Sequence, residues 1–227
     1  MVHRTLIILL SALIIACSDS SRSLDGYWVD QKGKAIAEFT GEKIVITLLG
    51  DSENQYVVDY EKIDESRFHL KGGGLGVSPV LVVDWQRKSF SIPSLFGKKK
   101  ELSFVQAPDV SASDINGTWY THEKEDNYES SIIVTQKDSS YDYDSLDIDH
   151  SSKTFTKRLD LNVQSNFTNG FIFNDPDPET GEEYTYYLTS YSTNTMSFTD
   201  SSGYQWSQHR KLGATHIDIP EGYKEGK

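Results

Sequence analysis

The amino-acid sequence predicts an all-β protein: two small antiparallel up-and-down β-barrels in tandem. Three observations carry this expectation. The string "SLDGYW" at residues 23–28 returns as "DINGTW" at residues 114–119, and aligning Gly26 with Gly117 gives an offset of 91 residues that also registers Leu24 with Ile115 and Trp28 with Trp119. Apolar residues recur with a period of two and are rich in β-branched and aromatic types, as half-buried strands require. Short clusters of Gly, Asp, Asn and Ser separate these runs and suit hairpin turns, and no segment carries the period of an amphipathic helix.

The elements follow in order. Residues 1–16 hold a short cationic start, the apolar run "LIILLSALIIA" and a small residue at the end, which together describe a secretory signal peptide too short for a stable spanning helix. Cys17 is the only cysteine, so no intramolecular disulfide can form. Residues 17–23 continue as a polar tether without apolar period.

The first unit, 24–107, alternates Ile44, Ile46 and Leu48, then Tyr56, Val58 and Tyr60, then Leu81, Val83 and Trp85, then Phe90 and Ile92. The turn strings "TGEK", "GDSEN", "DES", "GGGLG" and "FGKKK" connect them. Residues 108–114, "PDVSASD", have little to bury and read as a linker.

The second unit, 115–211, alternates Ile132 with Val134, Leu146 with Ile148, Leu159 with Leu161 and Val163, Phe171 with Phe173, Met196 with Phe198, and Tyr204 with Trp206. Seven or eight short sequential strands lose their exposed edges by closing into a barrel. The tail, 212–227, carries Pro220 and two late glycines and reads as largely disordered.

Two resemblances add to this reading. "IIAC" at residues 14–17 resembles the lipobox of bacterial lipoproteins, which implies that Cys17 becomes an acylated N-terminus. Ser18 in place of Asp implies, by the Gram-negative pattern, export to the outer membrane. The membrane is then a partner through the lipid, since each buried methylene contributes roughly 0.8 kcal/mol.

The second resemblance concerns the barrels. A Gly-x-Trp on the first strand, a meander and a basic residue near the end of the last strand are similar to the lipocalin and wider calycin pattern. It implies that Gly26, Trp28, Gly117, Trp119 and Arg210 close the barrels, with Arg210 lying over Trp119 in a cation–π contact. The first unit departs from it: "ELSFVQ" has no arginine, and the nearest basic group is the cluster 98–100. Each unit is roughly half a full lipocalin, which leaves open whether its interior is filled or hollow. Another small barrel or a sandwich pair is the alternative fold.

Charge separates the two units. The chain has 34 acidic and 22 basic residues, but residues 18–107 hold 13 and 12 of these, whereas residues 108–227 hold 21 and 9. That field has the wrong sign for nucleic acid. The second unit also holds 10 of the 13 tyrosines, so Asp142, Tyr143, Asp144, Tyr184, Tyr186 and Tyr187 are the candidate partner-binding face. The same composition also serves simply to keep an outer face soluble.

Catalytic signatures are scarce. The sequence lacks G-x-S-x-G, lacks H-E-x-x-H despite "HEKED", and has no P-loop lysine after "GGGLG", so no catalytic residue or cofactor is assigned. "DYDSLDID" at 142–149 reads as a solvent-facing strand with Leu146 and Ile148 turned away from Asp147 and Asp149. Asp175, Asp177, Glu179 and Glu182 form a weak calcium candidate, because the glycine comes too late for an EF-hand and two prolines stiffen the entry. A long hairpin connection is the competing reading.

The function expected from sequence is non-catalytic capture of a small apolar or lipid ligand by a lipid-anchored envelope protein, in a cavity lined by Phe171, Phe173, Tyr186, Met196 and Phe198. The alternative is an acidic inhibitor of a basic envelope-active protein, a lysozyme or a toxin; an enzyme is a third class. Cys17→Ser is expected to abolish palmitate incorporation in cells and to leave the leader on the chain, which metabolic labelling and intact-mass measurement would read.

Overall fold

The 91-residue repeat of the sequence is a repeat of architecture. The computed structural model describes residues 22–50, 55–71, 79–92, 101–123, 127–138, 140–164, 169–177, 180–213 and 215–226. The leader, Cys17, the turn segments 51–54, 72–76 and 96–100, and Glu179 lie outside the described residues.

The first unit is a closed eight-stranded antiparallel barrel of β1 (Gly26–Asp30), β2 (Ala35–Thr40), β3 (Lys43–Leu48), β4 (Gln55–Lys62), β5 (Arg67–Lys71), β6 (Val80–Asp84), β7 (Ser89–Ile92) and β8 (Leu102–Gln106). Each strand pairs with the next, and β8 returns to β1. The second unit follows a one-turn helix α1 (Ala112–Ile115). It comprises β9 (Gly117–Glu123), β10 (Tyr128–Lys137), β11 (Ser140–Asp149), β12 (Thr154–Gln164), β13 (Ile172–Pro176), β14 (Glu183–Ser192), β15 (Thr195–Asp200) and β16 (Gln205–Lys211). The β16–β9 pairing closes its sequential meander, and β17 (Lys224–Glu225) adds in parallel to β12.

Three barrel strands exceed the sequence expectation, β2, β5 and β14, as does β17 in the tail. In β2, "AIAEFT", Ala35, Ala37 and Phe39 face the first core while Ile36 is buried on the other side, so no polar face marks the alternation. In β14 a register shift between Leu188 and Ser190 breaks the period, placing Leu188 and Tyr191 in the same core.

The Gly-x-Trp motif places a tryptophan in the core of each barrel. Trp28 and Trp119 are fully buried, and each indole N–H donates four residues back, to the Leu24 carbonyl at 3.2 Å and the Ile115 carbonyl at 2.9 Å. The glycine two residues earlier sits at φ +102° in one copy and +127° in the other, a region that side chains rarely adopt. A Cβ at Gly117 would stand 3.1 Å from Arg210 Nη1, and one at Gly26 only 2.0 Å from Asn169 Oδ1.

Arg210 lies 4.1 Å from the Trp119 ring centroid and donates to the Asn116 carbonyl at 3.0 Å and to the Asp114 carbonyl. In the first barrel Gln106 holds the same register opposite Trp28 and donates to the Ser23 carbonyl at 3.2 Å. The missing arginine is thus replaced by a shorter amide, with Asn169 of the second barrel covering Gly26.

That substitution couples the barrels. Tyr27, Val29, Ile36, Ala107, Ile172 and Tyr187 form a third apolar cluster between the two cores. The Tyr27 hydroxyl lies between the Phe171 carbonyl at 2.8 Å and the Leu188 carbonyl at 2.6 Å, and accepts from the Phe171 N–H at 3.2 Å. Asn169 Nδ2 donates to the Tyr27 and Ala107 carbonyls at 3.3 Å. Burial holds the Tyr27 phenol protonated by pushing its pKa well up.

The tail expected to be largely disordered makes specific contacts. His216 Nδ1 is 2.9 Å from Ser131 Oγ on β10, Tyr223 Oη is 2.8 Å from His150 Nδ1, and Gly226 N–H donates to the Phe155 carbonyl at 2.7 Å. Its path from β10 to β12 crosses the outer face of β11, where Leu146 and Ile148 are buried. Two outward apolar side chains give the tail a surface to dock on.

Tyr27→Phe leaves the Phe171 N–H without its acceptor inside the interface. The expected cost is about 1–3 kcal/mol, read as a lowered urea midpoint with the same slope.

Candidate ligand cavity in the second barrel

The site is built by a phase change in β12. Tyr143 pairs with Leu161 but Ser145 pairs with Arg158, so Leu159 and Asp160 together oppose Asp144. Asp160 takes φ +55°, and its N–H donates to Asp144 Oδ1 at 3.0 Å, which fixes the extra residue. Leu161 and Val163 therefore face the core, Leu159 faces out at 57% exposure, and Thr156 and Arg158 face the lumen. The continuous Leu159–Leu161–Val163 alternation expected from sequence is corrected accordingly.

β11 stays in phase throughout. Tyr141 and Tyr143 are core residues, so period two carries Ser145, Asp147 and Asp149 to the same inner side. This reverses the sequence reading of Asp147 and Asp149 as solvent-facing opposite buried Leu146 and Ile148: the aspartates line the lumen, and the tail crosses over the outward pair.

The result is a cavity of about 650 Å³ at the end away from Trp119, within the range of small-molecule sites. The opposite end is filled by Val110, Ile115, Trp119 and their neighbours. The first barrel's interior is packed by side chains: Phe90 stacks on Phe104 at 5.0 Å, and Trp28 approaches Phe90 at 5.0 Å.

A charged group sits within the cavity. Arg158 Nη1 is hydrogen-bonded to Asp175 Oδ2 and lies 3.9 Å from Asp147 Oδ2. The Tyr186 hydroxyl donates to Asp175 at 3.4 Å, that of Tyr128 donates to Asp147 at 2.7 Å, and that of Tyr143 donates to the Asn174 carbonyl at 3.2 Å. Burial pushes the Asp175 carboxyl above its ordinary range, against the pull of the Arg158 guanidinium. Burial also raises all three phenols, so they remain protonated donors.

Several polar atoms in this wall have no hydrogen-bond partner among the described residues: Asp175 Oδ1, Ser145 Oγ, Gln208 Oε1 and Arg158 Nε. The Asp175 side chain is only 6% exposed, where an unmet acceptor costs about 1–3 kcal/mol. Beside them stands an aromatic wall in which Trp206 stacks at 5.4 Å on Phe198 and at 5.9 Å on Tyr204, with Tyr186 edge-on at 5.2 Å. At the mouth, Asp149 caps the β11–β12 turn through Ser151 and Ser152, whose hydrogen bonds hold its carboxyl down at about 2.

The structure redistributes the residues singled out from sequence. Tyr143 and Tyr186 enter the lumen, Tyr187 is buried between the barrels, and Tyr184 is exposed. Asp142 faces out and pairs with Lys137 at 2.8 Å, and Asp144 holds the β12 bulge. They form no single acidic aromatic face. Of the apolar lining expected, Phe173, Tyr186 and Phe198 border the cavity, while Phe171 and Met196 belong to the core cluster.

The calcium candidates also part. Asp175 turns inward to Arg158, whereas Asp177 organises the hairpin by accepting from the Thr180 and Gly181 N–H groups at 2.8 Å. Among the described residues no three metal-ligating side chains gather. Arg158 itself escaped the sequence reading, since the bulge that aims it inward has no glycine to mark it.

No family model matches this chain, and no curated protein or solved structure matches it either.

Arg158→Met would strand the buried Asp175 carboxylate and the half-buried Asp147 carboxylate. The expected loss is about 3 kcal/mol in urea unfolding, largely recovered in Arg158→Met/Asp175→Asn, where the more deeply buried charge is removed with its partner.

Proposed function

We propose that the protein is a non-catalytic binding protein that captures a small amphipathic molecule in the lumen of its second barrel. One observation carries the reading: a cavity of about 650 Å³ that combines an aromatic wall with buried polar atoms that have no partner among the described residues. A site with a few placed polar groups among apolar side chains orients a ligand, and filling those unmet hydrogen bonds favours the bound state.

The resemblances named from sequence support the setting. Lipidation at Cys17 would hold the barrels at the outer membrane of a Gram-negative envelope, and residues 17–23 would give them reach. The ordered pair of eight-stranded barrels fits a tandem lipocalin-like arrangement, in which the first barrel serves as a packed support and the second as the receptor. The mixed lining favours a ligand with a polar end over a purely apolar one. It also favours small-molecule capture over inhibition of a basic protein, because Asp147 and Asp175 are directed into a lumen that a folded partner cannot enter.

The mature chain is expected to bind Nile red, a neutral amphipathic dye, at one site per chain with enhanced fluorescence. Ser145→Phe, which projects a ring into the lumen, should weaken that binding at least tenfold while near-ultraviolet circular dichroism stays native. Saturable binding absent from the wild type, or unchanged in Ser145→Phe, would overturn the proposal.

A further inference from the structure

The polarity of the lumen points to a ligand class. Resting on the reading of the second barrel as a capture site, we propose that it selects a small organic cation: a protonated amine carried on an aromatic or apolar body.

The first argument is electrostatic. Asp147, Asp149, Asp175 and Asp200 all line the cavity, and among the described residues Arg158 is the one basic residue that lines it with them. Arg158 is committed to Asp175 and to Asp147, so its charge is already balanced before any ligand arrives. Asp149 and Asp200 remain as excess negative charge at the mouth, each holding its turn through serine and backbone donors that do not neutralise it. A low-dielectric lumen with this balance attracts cations and repels carboxylates and phosphates.

The second argument counts donors and acceptors. The donors of Tyr128, Tyr143 and Tyr186 are spent on Asp147, the Asn174 carbonyl and Asp175. What remains among the described residues is two acceptors, Asp175 Oδ1 and Gln208 Oε1, one donor at Arg158 Nε, and the Ser145 hydroxyl, which serves as either. An ammonium group supplies three donors and no acceptor, which complements this set. The guanidinium donor would suit a hydroxyl or ether oxygen close to the amine.

The third argument is the wall. Phe198, Trp206 and Tyr204 present stacked rings beside Tyr186. Such rings cover an apolar body, and their electron-rich faces favour a cation within about 6 Å. Asp175 is the anchor of the arrangement, because its side chain is nine-tenths buried and one of its oxygens has no hydrogen-bond partner among the described residues.

Three indoles of nearly the same shape test this by calorimetry with the mature chain: tryptamine (cationic), tryptophol (neutral) and indole-3-acetate (anionic). Tryptamine is expected to bind at least tenfold more tightly than tryptophol, with indole-3-acetate weakest. Asp175→Asn should remove the tryptamine advantage and leave tryptophol affinity within twofold. If that variant does not fold, as circular dichroism would show, the wild-type ranking decides alone, with Asp147→Asn as the second variant. Equal affinity for tryptamine and tryptophol, or a preference for indole-3-acetate, would overturn the cation assignment and leave capture standing. Nile red binding without binding of any indole overturns the ligand class alone; failure of all four probes overturns both proposals.

Discussion

One extra residue in β12 decides the character of the second barrel. Two residues, Leu159 and Asp160, oppose the single Asp144, and the Asp144 carboxylate holds the Asp160 N–H at 3.0 Å. In a barrel the inward set alternates strictly, so an added residue exchanges the two faces of everything beyond it. On one side of the bulge Leu161 and Val163 pack against core aromatics; on the other Arg158 projects into the lumen. Without the shift, the guanidinium would face solvent, and Asp175 and Asp147 would meet inside the barrel with no cation between them. Their mutual repulsion in a low dielectric is a cost the fold avoids through this one bulge.

The same reasoning explains why the lumen can be polar at all. A barrel this small needs buried apolar area somewhere, and here much of it is placed on outer faces. Ile172 and Tyr187 face away from the lumen and meet Tyr27 and Ile36 of the first barrel, while Leu146 and Ile148 lie on the outer face that the C-terminal segment crosses. The first barrel and the tail act as external packing, which leaves the cavity end of the second barrel to carry charge.

The ends that hold the Gly-x-Trp motif differ between the two barrels. In both, a glycine at positive φ lets a polar side chain approach the backbone before the tryptophan, but that side chain is Arg210 from within one barrel and Asn169 from the neighbour in the other. Gln106 retains the register of Arg210 without its charge or reach. Divergence at this point is what ties the first barrel to the second: the group over Gly26 also binds the Tyr27 and Ala107 carbonyls.

By itself the sequence determined the strand-rich architecture, the tandem pair of barrels, and the contact of Arg210 with Trp119. All of these rest on local alternation, turn chemistry and a repeated string, which are properties of short windows. Only the tertiary structure decided which face of β11 turns inward, because Leu146 and Ile148 look like core until a distant segment crosses their outer side. Only the tertiary structure placed Arg158, because the β12 bulge is fixed by a carboxylate on another strand. It also split the acidic tyrosine-rich set into lumen, interface and surface, and separated Asp175 from Asp177. Charge and aromatic content were legible in the chain; the side of a barrel wall on which each residue stands depends on register, and register is settled between strands.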